Sequence, residues 1–524
     1  MQPTIDTSVG MEKAAIELNE GDVAMKVFDT IHDATEPIDK AAERRLVRKI
    51  DMCSEFIPFI CITYLVTYID KATLGYAAVF HLQDDLHLHG SQYSWLGTHT
   101  QPIVLARTDD STGSLFYFGY LVCEYPTSFV MQKISVSKWL AGNIIVWGGI
   151  TMALGGCNNF AEFAALRVLL GALESCSTPA YLLITAMWYT IEEQPIRIGY
   201  WSTFLGLANA FGGLLAYGIG HLHGKLESWR YLFIIIGAVS SGWGICMFFG
   251  LAESALSARW LSEAEKRLAV ERLRGNQTGI KNSVFKRNQL IEALTDPKTW
   301  FFFLFGLSTQ VVNGAASNFG SLIIKGFGYS SLKSTLMQIP YGFIIVTANL
   351  SAMYVQRWIP GQRRCLVAVM YVLPALAGAV GIHTLPRDKR GSLLACYWLT
   401  STYTASFAMI MSLITANTAG STKRTTVNAL FFVSYCVGNI IGPFAFKQSE
   451  APVYASGITA MLVAYCVEIV ALLCFAVYAA FLNRKKEEAT GPVTNADTID
   501  NDEQLQASFS DLTDIQNPYF RYTY

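Results

Sequence analysis

Twelve apolar runs dominate this chain, and each is long enough to cross the hydrocarbon core of a bilayer as one helix, which takes about 20 residues. A window of about 19 residues places six of them before a polar centre, at 56–79, 114–134, 138–157, 161–187, 200–222 and 230–252. Six more follow, at 299–324, 333–355, 364–384, 391–417, 425–446 and 456–482. Lipid offers exposed backbone no hydrogen-bond partner, so runs of this kind fold as helices. The expected fold class is all-α integral membrane, with two six-helix halves at 50–252 and 299–483. A linker over 253–298 joins them, and tails cover 1–49 and 484–524.

Composition supports this class. Hydrophobic residues make up 52% and charged ones 15%, with a mean hydropathy of +0.32, a difficult balance for a protein that must cover its surface with polar groups. A net charge of -1 gives no electrostatic footprint for nucleic acid, so the bilayer is the expected partner. The eleven cysteines are scattered without CxxC or metal-ligand spacing and read as small core residues, with no metal or other cofactor expected. The first run is too long for a signal-peptide core and follows about fifty largely polar residues, so no cleaved signal is expected.

Lysine and arginine set the expected orientation. Arg44, Arg45, Arg48 and Lys49 precede span one, Lys133 and Lys138 lie between spans two and three, and Arg197 follows span four. The linker, Arg363 and Arg364, Lys423 and Arg424, and Arg484 to Lys486 fall on the same side. Both termini are therefore expected in the cytoplasm, and the sequons at Asn276 and Asn349 are not expected to carry glycans, one lying in the linker and the other in a span. Within the linker, Ser262 followed by Glu265 is a capping box for a short amphipathic helix.

Inside span one stands the pair Asp70-Lys71. A charge at the centre of a spanning helix costs roughly 2.5–3.5 kcal/mol on insertion scales, so an intramembrane ion pair marks a candidate site. The two side chains project about 100° apart and need not pair with each other. One reading gives Lys71 a substrate carboxylate; the other makes the pair a charge network that locks helix one to its neighbours.

The halves repeat each other weakly. QKISVSKWLAGN after span two has a counterpart in VQRWIPGQRRCL after span eight, and PIRIGYW before span five resembles TKRTTVN before span eleven. Parallel six-helix repeats with a site at mid-membrane between them are a recurrent transporter plan. Twelve spans, a six-plus-six division and a long linker resemble the major facilitator superfamily. YIDKATLGYA, FYFGYLVCEYP, RVLLGALESCSTPAYLLITAMWY, WLSEAEKRLAVERLRGNQTG and YCVGNIIGPFAF together resemble the fungal anion:cation symporter family, the allantoate and nicotinate permease relatives, over about residues 40–485. That resemblance implies import of a small organic anion, a vitamin or nitrogenous carboxylate, generally with protons. Such proteins more often carry Asp-Arg in span one, so Lys71 keeps the charge but loses the bidentate fork.

On this resemblance Arg167 is a structural or gating arginine near the outer end of span four, and Glu174 a candidate protonation site. The seven-residue spacing puts Arg167, Glu174 and Tyr181 on one helical face, with Ser177 along it, and a salt bridge from Arg167 to Glu174 or Glu124 is the alternative. Glu124 precedes Tyr125-Pro126, where proline frees a carbonyl, and is a further proton candidate or a packed residue near a kink. Asn313 and Asn318 in span seven, with Gln310, Asn417 and Asn439, offer amides either to a substrate or to each other. Glu468 in span twelve has no assigned role.

Gly199, Gly206, Gly213 and Gly220 recur every seven residues through span five. This smooth strip is expected to pack against a helix of the other half and to slide during alternating access, and Gly438 and Gly442 suggest a similar contact in span eleven. His81, His87, His89, His221 and His223 read as solvated outer-loop residues. The polar segment Thr98–Gly113 interrupts YSWLG and SLFYFGYL, which read as continuous without it; a retained intron in the gene model and a lineage-specific outer loop both account for it. Residues 1–40 and 487–524 are polar and expected to be disordered.

The sequence thus points to a plasma-membrane, multi-pass importer of a small organic anion coupled to protons, working as a monomer and not an enzyme. Lys71, Tyr181, Asn313 and Asn318 are the expected substrate contacts, and Asp70, Glu124 and Glu174 the proton-coupling acids. Arg167, Gly206, Gly213, Gly438 and Gly442 are the expected structural and gating positions. A facilitative or exchange carrier, and a receptor built on the same fold, are the alternatives. No nucleophile–base pair, metal motif or phosphate loop favours an enzyme.

Overall fold

A computed structural model describes residues 40–53, 56–86, 115–131, 133–190, 193–222, 224–252, 258, 260–274, 286–359, 363–490, 512–518 and 520–524. Thr98–Gly113, Asn276, His87, His89 and His223 lie outside them. The chain divides into two compact units, Met1–Lys49 and Ile50–Tyr524. In the first, helix α1 (Lys40–Arg48) has Glu43 in its opening turn and Arg45 and Arg48 in its last, which suits the helix dipole.

The second unit is helical wherever the described residues form regular structure. Its first half contains α2 (Phe56–Val79), α3 (Leu115–Val130), α4 (Val136–Leu154), α5 (Phe160–Glu174), α6 (Ser177–Trp188), α7 (Gln194–Ile219) and α8 (Ser228–Gly250). The linker contributes α9 (Glu263–Arg274) and α10 (Arg287–Thr295). The second half contains α11 (Pro297–Gly326), α12 (Ser331–Leu336), α13 (Gln338–Trp358), α14 (Arg364–Thr384), α15 (Arg390–Leu399), α16 (Tyr403–Asn417), α17 (Ser421–Phe444) and α18 (Ala455–Thr490). Each of the twelve expected spans coincides with a helix or a pair of consecutive ones. Eight helical stretches among the described residues are long and apolar enough to cross a membrane.

Many hydroxyls inside these helices bond the backbone one turn back, which suits a lipid environment. In α2 the hydroxyls of Thr63, Thr67 and Thr73 donate to the carbonyls of Phe59, Thr63 and Ile69 at 2.6, 2.8 and 2.8 Å. Glycine sets the closest helix pairs. A Cβ on Gly148 would meet the Gly237 carbonyl at 2.7 Å, and one on Gly237 the Gly148 carbonyl at 2.5 Å, so α4 and α8 touch backbone to backbone.

The linker helix has the expected cap: the Glu265 amide donates to Ser262 Oγ at 3.3 Å while the Ser262 amide donates to Glu265 Oε2 at 2.9 Å. Trp260 stacks on Trp188 at 5.8 Å, and Arg272 donates to the Trp188 carbonyl at 3.0 Å and pairs with Glu193 at 3.0 Å. These contacts seat α9 on the linker-side end of α6. On the same side, Asp51 accepts 2.8 Å bonds from Tyr189 and Arg197, tying the approach to α2 to α7.

Residues 512–524 depart from the expectation of a disordered tail. Asp514 and Tyr522 are buried, and Tyr522 belongs to the apolar core that includes Phe302, Phe305, Phe431 and Phe475 of the second half.

Candidate functional site

Three spans are broken among the described residues: span eight at Met337, and spans four and ten at corresponding places in the two halves. Span four stops at Glu174 and restarts at Ser177, where Pro179 in the first turn of α6 cannot donate to the Ser175 carbonyl. Span ten tightens to a 3-10 turn over Thr400–Thr402, where the hydroxyls of Thr400, Ser401 and Thr402 donate to the carbonyls three residues earlier at 2.6, 2.7 and 3.1 Å. Interrupted helices at matching positions of a repeat mark where transporter sites are built.

The breaks in spans four and ten open on the same region. Glu174 lies beside Lys71, with Nζ 2.8 Å from Oε1 and the glutamate side chain only 1% exposed. Rings of Tyr68, Tyr120 and Phe116 surround the ammonium at 5.0, 5.6 and 6.0 Å, a cation–π arrangement that partly replaces its lost hydration. Asp70 turns away to α4, where Thr151 Oγ1 donates to its two carboxylate oxygens at 3.2 and 3.0 Å. Arg167 is buried two turns before Glu174 on the same helix, its guanidinium 5.3 Å from the Phe116 ring.

Two adjoining cavities, of about 420 and 380 Å³ with their open solvent included, share Tyr68, Lys71, Asn313 and Ser317. Arg167, Glu174 and Asn318 complete the polar wall of the first; Asn209, Tyr341, Tyr403 and Thr404 line the second. The walls come from both halves, so the space lies at their seam. The wall contributed by the second half is a hydrogen-bonded chain. Tyr403 donates to Asn313 Oδ1 at 3.3 Å, Asn313 to Asn439 Oδ1 at 2.8 Å, and Asn439 to Gln310 Oε1 at 2.8 Å. The chain fixes which end of the Asn313 amide faces which neighbour. Asn318 donates to the Gly314 carbonyl at 2.8 Å.

The remaining sequence candidates are distributed unevenly. Tyr181 was expected at the substrate, but it bonds Thr67 at 3.1 Å, packs on Tyr64 and Trp201, and lines neither cavity. The break after Glu174 is the reason: a seven-residue spacing holds one face only along an unbroken helix. Glu124 sits half-buried in α3, without an ion pair among the described residues. Glu468 is fully buried with Ser406 donating to Oε1 at 2.6 Å. Tyr68, Asn209, Tyr341 and Tyr403 also line the cavities, although no local pattern singles them out among so many aromatic and amide side chains.

The glycine strip of α7 meets the other half. A Cβ on Gly206 would overlap the Gly342 carbonyl and approach Val346 N to 2.9 Å; one on Gly342 would overlap the Gly206 carbonyl. A Cβ on Gly213 would lie 2.5 Å from the Thr335 carbonyl oxygen. In α17, a Cβ on Gly438 would lie 2.6 Å from the Leu307 carbonyl oxygen and one on Gly442 would overlap the Val311 carbonyl, so α17 packs closely on α11 within the second half.

The architecture has known counterparts. The Major Facilitator Superfamily model matches residues 60–443. This chain belongs to that superfamily. As a member it is a transporter and not an enzyme, and among its relatives are an uncharacterized transporter of Schizosaccharomyces pombe and the allantoate permease of Saccharomyces cerevisiae. The first is 38% identical, with 91% of this chain and 87% of the relative covered. The permease is 34% identical, with 100% and 94% covered. The thiamine pathway transporter of S. cerevisiae is 32% identical, with 99% and 96% covered. Among solved structures, a bacterial homologue of the lysosomal transporter Spinster, in an inward-facing and occupied conformation, aligns with TM-score 0.55 at 17% identity over 81% of this chain and 96% of its own. The proton:xylose symporter XylE aligns with TM-score 0.56 at 13% identity over 83% and 96%. These two share the superfamily fold with this transporter.

Proposed function

We propose that this transporter imports a small organic anion together with protons across the plasma membrane, as a monomer with both termini in the cytoplasm. The observation that carries the reading is the ion pair between Lys71 and Glu174 at the wall of the seam. A buried cation needs an opposite charge, and either Glu174 or a substrate carboxylate supplies it. Protonation of Glu174 removes its charge and releases Lys71 to the substrate; binding of the substrate to Lys71 in turn favours the protonated acid. Each ligand thereby raises the affinity of the other, which is the thermodynamic content of symport. Asp70, bonded by Thr151, holds a fixed place beside this exchange, and Asn313, Asn318 and Tyr403 offer the substrate its polar contacts from the second half. The name of the allantoate permease supports a carboxylate as the cargo.

Radiolabelled uptake against a panel of carboxylates, with and without a pH gradient, tests the reading. Accumulation that collapses with a protonophore supports it. Equilibration without accumulation makes the protein a facilitative carrier, and saturable binding without uptake makes it a receptor.

A further inference from the structure

Thr513, Asp514 and Tyr522 are buried, and the described residues of 512–524 are held as a bound peptide is held. Two asparagines, one from each of two helices, grip the backbone at consecutive residues. Asn417 at the end of α16 accepts from the Thr523 amide at 2.7 Å and donates to the Thr523 carbonyl at 2.8 Å. Asn483 in α18 accepts from the Tyr522 amide at 2.7 Å and donates to the Tyr522 carbonyl at 2.8 Å. An asparagine amide presents one donor and one acceptor in the spacing of a neighbouring strand, so each clamps the main chain whatever side chain that residue carries. Capture of backbone by fixed polar groups, with pockets for selected side chains, is a general mode of peptide recognition.

Specificity comes from two anchors. The Tyr522 ring enters the apolar core, with Lys298 Nζ 4.0 Å from its centroid. The Asp514 carboxylate lies between Lys298 and Lys423, 2.9 Å from the latter, and accepts a 3.0 Å bond from the Tyr522 hydroxyl. Lys486 donates to the Asp514 and Asn517 carbonyls at 2.5 and 2.7 Å. The segment supplies one of the carboxylates that face these lysines: Lys298 and Lys423 meet Asp296 and Asp514, and Lys423 also meets Glu292. Gly420, at φ +90°, turns the chain so that Gln289 of α10 can accept the Thr422 amide at 3.0 Å and cap α17 directly beneath Thr513.

We propose that the linker-side ends of α11, α16, α17 and α18 form a peptide-binding groove whose ligand is the chain's own segment 512–524. The occupied groove ties these four helices and α10 into one body, and the segment acts as a clasp that binds and can be replaced in trans by the same peptide.

The test uses purified full-length protein and a variant lacking residues 512–524, with a fluorescent peptide of that sequence followed by anisotropy. The peptide should bind the deletion variant saturably and raise its midpoint of thermal unfolding, and should not bind the full chain, whose groove is filled. Asp514→Asn in the peptide should weaken binding at least tenfold. No binding to the deletion variant, equal binding to the full chain, or equal binding of the substituted peptide overturns the proposal. Should the deletion variant not fold, the full chain carrying Asn417→Ala and Asn483→Ala supplies the answer through trypsin cleavage after Arg521. Cleavage at least tenfold faster than in the parent protein is expected from an opened clasp, and an unchanged rate overturns it.

Discussion

Lys71 Nζ stands 2.8 Å from Glu174 Oε1, while its neighbour Asp70 faces Thr151 on another helix. Side chains of adjacent helical residues diverge by about 100°, so the two charges that look like a pair in the sequence serve different partners. The buried ion pair is formed between spans one and four.

Removing one member of a buried ion pair strands the other and costs about 3–5 kcal/mol. Lys71→Ala should therefore abolish saturable anion uptake at otherwise permissive pH. Glu174→Gln leaves Lys71 free for the substrate, and should retain anion binding while losing its pH dependence and concentrative uptake. Uptake at several external pH values, set beside binding to purified protein, separates these outcomes. Unchanged affinity in Lys71→Ala would sink the scheme.

Asn439 touches Asn313 and lines neither cavity. Replacing it with leucine removes the acceptor that orients the half-buried Asn313 amide and takes from buried Gln310 the donor its carbonyl oxygen accepts from, a cost of about 1–3 kcal/mol. The expected result is a KM raised roughly tenfold with little change in the amount of folded protein, as that energy range implies. Asn439→Asp, which keeps an acceptor, should recover part of the loss.

At Gly206 a single methyl has nowhere to go, since the neighbouring atom is the backbone oxygen of Gly342 rather than a side chain that could swing aside. Gly206→Ala should depress transport strongly while the protein still reaches the membrane. Gly149, with nothing within 4 Å of its would-be Cβ, serves as the control, and Gly149→Ala should transport normally. Equal rates for the two variants would remove any role for the contact.

The Asp514 carboxylate sets a pH window for stability. Burial pushes its pKa up, but Lys298 and Lys423 outweigh that and hold it below the ordinary aspartate range. The folded state then binds the proton more weakly than the unfolded one, so the contribution is complete above the unfolded pKa of about 3.9 and is lost as pH falls through the lower folded value. Thermal scans of the parent and of Asp514→Asn should differ at pH 7 and converge in acid. A constant difference from pH 7 to pH 3 contradicts this.

Much of the architecture could be read from residues alone, because each apolar run had to become a helix and the Ser262–Glu265 spacing could hardly cap anything else. The heptad of glycines located the close contact at Gly206 but not its partner, since Gly342 stands alone in a helix without a repeating pattern. The site was legible in its charges and illegible in its geometry. Lys71 and Glu174 were both conspicuous, yet nothing local tells which of three acids a lysine will meet. Pro179 and the run Thr400–Thr402 held the missing information: they break spans four and ten, move Tyr181 off the stripe and bring Tyr403 to the seam. Segment 512–524 was hidden for the opposite reason. Its anchors, Asp514 and Tyr522, sit in a polar context that resembles a solvated tail until Lys298 and Lys423, far away in the sequence, are placed beside them.

The backbone-to-backbone meeting of Gly206 and Gly342 has a kinetic consequence. Where helices interlock through leucine or phenylalanine, any displacement must lift side chains out of their wells and reseat them, one rotamer at a time. Two bare glycines have no such wells. In the transport cycle proposed above, the seam at this point would act as a plain bearing, in which friction comes from carbonyl dipoles and close-packed atoms, and small angular displacements meet a smooth rise in energy instead of a series of steps.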